Sequence, residues 1–279
     1  FPKTGFPPTD KEEWLRILNV CRAHGLNHLR FHSWCPPKAA FEAGDERGFL
    51  FQIELPLWTI DAPPFGQDAP RDQFIHDELK RILDTYGNHP SFGFMAMGNE
   101  SHGSLDSLTH AGRARDPRPI YRIESGGEDP LGFIEQGQRG VYGPRTDWDR
   151  WTVNAGWVAG GPRDKPPPGP SGPRKSLEEN HMLDQAKDFA EASGKLSVLL
   201  YKDEIEASLR SWPYGGAQIL EVRDYPGQGV AIVGWLDAFW DSKGLITPEK
   251  FREFCSPIVC LLRMPKRGLD SRETFTAQT

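Results

Sequence analysis

A carboxylate and an amide stand side by side at Asn99-Glu100, where the apolar run Phe92 to Met97 breaks off in Gly98. The run has the length of one fully buried strand. Asn88-His89-Pro90 ahead of it is turn chemistry, since proline pushes its predecessor out of the helical region. A carboxyl group at such a strand end can hand a proton to a bound substrate, and the amide beside it can hydrogen-bond a hydroxyl. The plain alternative for Glu100 is a solvated residue just past a strand. Arg30, His32 and Glu54 stand at the ends of two earlier candidate strands, which makes them partners for the same chemistry. Each has a structural alternative: Arg30 a buried ion-pair partner, Glu54 a helix-capping carboxylate, His32 a satisfied core histidine.

The elements that must position these residues follow from periodicity and punctuation. Thr9-Asp10 caps a helix with apolar positions Trp14, Ile17, Leu18 and Cys21, acidic residues in its first turn and Gly25 after its end. Leu26 to Phe31 reads as a strand that delivers Arg30 and His32. Pro36-Pro37 opens a helix over 38–46 that stops at Gly48, and Phe49 to Leu55 is a second strand with Glu54 near its end. Pro70 to Tyr86 is a well-patterned helix closed by Gly87, and the Phe92 strand follows. Helix and strand thus alternate three times, which predicts parallel strands joined by crossover helices. The fold class expected is α/β, a (β/α)8 barrel, whose catalytic groups sit at the carboxyl ends of its strands. No glycine-rich turn links an early strand to its helix, and Gly227-Gln228-Gly229 with Gly234 has the wrong spacing for a dinucleotide fingerprint. No cofactor is expected.

Beyond Glu100 the pattern thins. Ile120 to Glu124 reads as a further strand, with Glu124 more simply a loop residue, and 128–150 carries no pattern. Gly156 to Pro173 holds five glycines and six prolines in eighteen residues and cannot bury a core face. A loop that long counts against a neatly closed barrel. The chain therefore divides into a first barrel part (1–150), an irregular insert (151–175) and the last barrel part (176–279). In the last part Ser176 to Glu179 is a capping-box pattern before one or two helices, and Lys195 to Leu209 carries helical apolar spacing at Leu200, Ile205 and Leu209. Gly215 to Val222 is strand-like, and Thr247-Pro248 opens a final helix.

Composition bounds the partners. The net charge of −6 is spread along the chain without a basic stripe, so nucleic acid is not an expected partner. No apolar run approaches the ~20 residues of a membrane-spanning helix. Nine tryptophans suit a sugar cleft, where flat rings stack on pyranose faces, and suit an ordinary core equally well. Cys21, Cys35, Cys255 and Cys260 lack C-x-x-C spacing and read as thiols, neither a metal site nor a disulfide framework. His24, His28 and His32 have the spacing of helical metal ligands, but Gly25 breaks the helix between them, so no metal is expected.

The string from His89 to Glu100, "HPSFGFMAMGNE", resembles the acid/base strand of glycoside hydrolase clan A, and most of all family 2, the β-galactosidase, β-glucuronidase and β-mannosidase group. The resemblance implies that Glu100 protonates the glycosidic oxygen while Asn99 hydrogen-bonds the sugar 2-hydroxyl. "GLNHLRFHSW" is similar to the family's second barrel strand. It implies that Arg30 orients the catalytic carboxylates and that His32 lines the sugar site; Glu54 in "FQIELPLW" matches an acidic position after the third strand. "DYPGQG" with "VGWLDAFW" looks like the eighth-strand region of a β-galactosidase-like branch. There Asp224, Trp235, Asp237 and Trp240 would border the pocket, with helix-to-barrel packing as the alternative for the tryptophans.

The departures from the family are as specific as the matches. A retaining glycosidase pairs its acid/base with a nucleophilic carboxylate ~5–5.5 Å away. The resemblance puts that glutamate at the end of the seventh strand, where this chain has its Gly/Pro-rich segment, without a single glutamate. Glu221 is the strand-end glutamate that remains in the second half and is the candidate nucleophile, although the resemblance places it on the eighth strand. The first strand is also missing, as in a fragment of a larger enzyme, one that is secreted or periplasmic by this reading. The expected activity is hydrolysis of O-glycosyl bonds by a β-galactosidase-like retaining enzyme acting on a glycoside or oligosaccharide. The other readings are an inactive carbohydrate-binding remnant of such an enzyme and an unrelated barrel lyase or aldolase. The last would need a Schiff-base lysine or a metal cluster, and neither stands out.

Overall fold

Asp10 opens the first element as its sequence demands. Its side chain accepts the backbone N–H of Glu13 at 2.8 Å, and α1 runs over Lys11–Ala23. The computed structural model describes residues 5–59, 62–118, 120–122, 133–135, 177–210, 216–219, 222–224, 234–262 and 269–277. Glu124, Glu221 and the insert at 151–175 lie outside the described residues.

The strands β1 (His28–Phe31), β2 (Leu50–Glu54), β3 (Phe92–Ala96) and β4 (Ile120–Arg122) form one parallel sheet in the order β1-β2-β3-β4. The helices α2 (Lys38–Arg47), α3 (Ala69–Tyr86) and α4 (Leu105–Arg115) separate them along the chain. Each boundary has a local cause. Gly48 ends α2 in the left-handed conformation at φ +66°, and Asp68 caps α3 by accepting from the N–H of Arg71.

The two faces of this sheet differ in kind. On one, Phe31, Phe51, Ile53 and Met95 join Trp14, Ile17 and Leu18 of α1 and Ala40 and Phe41 of α2 in the main core. Gly44 is the close-approach point, since a Cβ there would stand 2.7 Å from the Phe51 ring. The other face carries His28, Arg30, Gln52 and Glu54. The register between β2 and β3 skips Gly93, so Phe92 packs with Phe41 in the core while Phe94 meets the His28 ring at 4.9 Å between centroids.

The later part departs from the pattern read in sequence. One helix, α5, spans Ala186–Leu209, where one or two had been expected. It passes through Gly194, whose bare backbone lets Leu245 pack so close that an added Cβ would stand 2.4 Å from its methyl carbon. The strand expected over 215–222 is described only as β6 (Gly216–Gln218), paired in parallel with β5 (Phe133–Glu135) from a stretch that carried no sequence pattern. Thr247 caps α6 (Pro248–Phe251) as expected. A second, smaller core gathers Tyr201, Ile205, Trp235, Leu236, Phe251 and Phe254. The fold is α/β with a parallel sheet; the described residues give a four-stranded sheet and a separate pair, not eight strands in a closed ring. No helix among the described residues is long and apolar enough to cross a membrane.

Candidate active site

Glu54 ends β2 with its side chain wholly buried. A carboxylate in that position is costly unless its charge is paired and its lone pairs are filled. Arg30 meets both needs from β1, donating Nε–H to Oε1 and a longer bond of 3.4 Å from Nη2 to Oε2. Ser33 Oγ donates to Oε2 at 3.2 Å and Gln52 Nε2 to Oε1 at 3.0 Å. Gln52 is oriented in turn, because its carbonyl oxygen accepts from Gln218 Nε2 at 2.7 Å. Arg30 Nη2 also donates to Asn99 Oδ1 at 2.8 Å. One hydrogen-bonded chain therefore runs from β6 through β2 and β1 to the end of β3.

The turn after β3 is shaped by close contact with the loop after β2. Gly98 has φ +145°, and a Cβ there would stand 2.6 Å from the carbonyl oxygen of Leu57, so only glycine fits. The same carbonyl accepts from Asn99 N at 3.0 Å and Ser101 Oγ at 3.0 Å, while Thr59 Oγ1 accepts from the N–H of His102 at 2.6 Å. Glu100 then adopts φ +49°, a left-handed conformation that costs a non-glycine residue free energy. Its Oε2 accepts the indole N–H of Trp58 at 3.1 Å.

His32 follows β1. Its ring is open to solvent, yet crowding by the surrounding protein lowers its pKa below 6.5, and the Arg30 cation lowers it further. Glu54, Glu100 and a hydrogen bond with Asn99 act the other way.

The structure therefore brings together Arg30, His32, Glu54, Asn99 and Glu100. Among the candidates from the last third of the chain, Glu221 lies outside the described residues, and the others have the following neighbours. Trp235, 1% exposed, stacks on Phe251 at 4.3 Å between centroids and meets Tyr201 edge-on, in the smaller core. Trp240 is partly buried beneath the Arg223 guanidinium, 5.4 Å from the ring centroid. Both tryptophans thus occupy the packing role that sequence offered as their alternative. Asp224 accepts from Lys243 Nζ at 3.0 Å and the N–H of Gly234 at 3.1 Å; burial nonetheless leaves its pKa raised. Asp237 caps a turn by accepting from the N–H groups of Phe239 and Asp241.

Sequence reasoning passed over Gln52, Gln218, Ser33 and Trp58. Gln52 was findable, since it stands two residues before Glu54 and so shares its face of the strand. Trp58 sits four residues beyond Glu54, but nothing local says that its loop turns toward Glu100.

No family model matches the chain, and no curated protein matches it. Solved structures do share the fold. A β-glucuronidase from Dictyoglomus thermophilum superposes with a TM-score of 0.58 at 13% identity, over 89% of this chain and 48% of that one. Bifidobacterium dentium β-glucuronidase, solved in complex with coumarin-3-O-glucuronide, gives 0.56 at 14% identity, over 88% and 43%. Bacteroides uniformis β-glucuronidase 3 gives 0.54 at 14% identity, over 91% and 36%. This chain spans between about a third and a half of the length of these proteins.

Proposed function

We propose that the cluster at the carboxyl ends of β1 to β3 is part of the active site of a β-glycoside hydrolase, with Glu100 as the acid/base. The observation that carries this reading is the single network joining Arg30, Glu54 and Asn99 beside Glu100 on the open rim of a parallel sheet. The fold shared with the β-glucuronidases supports it.

In this mechanism Glu100 gives its proton to the leaving oxygen and later takes one from water. Asn99, oriented by Arg30, hydrogen-bonds the hydroxyl next to the bond being cleaved, a contact that strengthens as the oxocarbenium-like transition state forms. Arg30 is fixed by Glu54, whose carboxylate is filled by donors from Arg30, Ser33 and Gln52, so Glu54 acts through Arg30. Retention would need a nucleophile ~5–5.5 Å from Glu100. Glu221, outside the described residues, is the candidate for it. Because the fold neighbours are β-glucuronidases, β-D-glucuronides stand beside β-D-galactosides as substrates to try.

The test is release of 4-nitrophenol from 4-nitrophenyl β-D-glucuronide, β-D-galactoside and β-D-mannoside. Turnover should fall by ~10²–10⁴-fold in Glu100→Gln, the usual share of a general acid/base. Equal turnover in the variant would remove Glu100 from the mechanism. A second reading, sugar binding without cleavage, follows from the absence of any glutamate in the Gly/Pro-rich stretch 156–173, where the family resemblance puts the nucleophile. Calorimetric binding of a glycoside that is never hydrolysed would select it.

A further inference from the structure

The loop after β2 holds one side chain in an unusual state. Trp58 stands 56% exposed between Leu57 and Thr59, which are 1% and 3% exposed. Its neighbours fix the loop to the turn that carries Glu100: Leu57 O accepts from Asn99 N and Ser101 Oγ, and Thr59 Oγ1 from the N–H of His102. The indole N–H itself donates to Glu100 Oε2 at 3.1 Å. The ring is therefore held in place before any ligand arrives, so little conformational entropy remains to be lost when one stacks on it. An N–H lies in the plane of its ring, so this bond uses the indole edge and leaves the face to solvent.

Resting on the reading of Glu100 as the acid/base, we propose that Trp58 is the platform for the leaving group, and that it selects β-glycosides whose aglycone presents a flat ring. A proton passed from Glu100 to the glycosidic oxygen releases the group on the far side of that oxygen. The indole edge begins 3.1 Å from the carboxylate. A planar aglycone bonded to the protonated oxygen is large enough to lay its face on the indole, and a methyl group has no face to stack.

Calorimetry on the whole chain tests this with 4-nitrophenyl β-D-glucuronide and methyl β-D-glucuronide against wild type, Trp58→Ala and Trp58→Phe. Wild type should bind the aryl glycoside about three- to tenfold more tightly than the methyl one. Trp58→Ala should erase that ratio without weakening the methyl glycoside. Trp58→Phe, which keeps a ring but loses the donor, should retain most of it. A ratio that survives in Trp58→Ala overturns the platform, whatever the turnover. Absence of turnover in wild type, with the ratio present and lost in Trp58→Ala, overturns the catalytic reading and keeps the platform. Failure of wild type to bind either glycoside overturns both.

Discussion

The two faces of the four-stranded sheet are made of the same strands and do opposite work. Phe31, Phe51, Ile53 and Met95 point to helices α1 and α2 and bury apolar area, which is non-directional and forgiving of small shifts. Arg30, Gln52 and Glu54 point the other way and are held by hydrogen bonds, each with a required partner and distance. A parallel sheet is ordinarily apolar on both faces. Polar groups buried on one face are a cost, and they are tolerated here because Gln218 of β6 donates to Gln52, Arg30, Ser33 and Gln52 donate to Glu54, and Asn99 at the rim of β3 accepts from Arg30. Such an arrangement places a carboxylate and an amide accurately, which burial of hydrocarbon alone does not.

The largest expected effects set these faces against each other. Phe51→Ala should cost about 3–5 kcal/mol, from lost contacts and the cavity left behind. Arg30→Met should cost a similar ~3–5 kcal/mol, because it strands the Glu54 charge in a buried site. The difference appears in the second substitution. Adding Glu54→Gln to Arg30→Met removes the stranded charge and should recover most of the loss, whereas adding Phe31→Ala to Phe51→Ala should deepen it. Urea unfolding midpoints measure all four. If the Arg30/Glu54 double variant is as unstable as Arg30→Met alone, the polar face contributes stability in its own right and the contrast fails.

The same contrast explains what could be read without coordinates. Alternation of helix and strand across the first hundred residues was legible, because Gly48, Pro70 and Pro90 punctuate it and the apolar periods are clean. The candidate cluster was legible in part, since Arg30, Glu54, Asn99 and Glu100 all stand at strand ends. Gln218 was not, because its partner Gln52 lies 166 residues away, and such a pairing leaves no local pattern. Trp235 shows the limit from the other side. A tryptophan near Asp224 suits a sugar pocket or a core equally by composition, and only Phe251 and Tyr201 packing around it decide between them. Whether one helix or two follow Glu179 was left open by the sequence, and Leu245 packed against the bare backbone of Gly194 shows how a single helix Ala186–Leu209 runs through that glycine.

A smaller effect probes the polar rim. Glu100 pays for its left-handed backbone at φ +49°, and Glu100→Gly should relieve a strain of ~1–2 kcal/mol. Part of that is offset by the greater freedom of glycine in the unfolded chain, ~0.4–1 kcal/mol. The net expectation is a variant more stable by about 0.5–1 kcal/mol that has lost turnover. Thermal and urea unfolding measure the first, nitrophenyl glycoside hydrolysis the second. Loss of stability would mean that the Trp58 contact to Glu100 outweighs the strain.

The smallest expected effect is in pH. Crowding by protein, followed by the Arg30 cation, holds the His32 pKa below 6.5 in the folded chain. The unfolded chain therefore takes up this proton first as pH falls. The folded state should lose stability as pH drops through 6.5 and stop losing it once pH lies below the lowered pKa, where both states are protonated. His32→Asn should flatten that segment of the stability profile. The ring is open to solvent, so the slope is shallow and low salt shows it best. A profile unchanged by the substitution would mean that neither the surrounding protein nor the Arg30 cation acts on His32 in solution, and would detach it from the polar face.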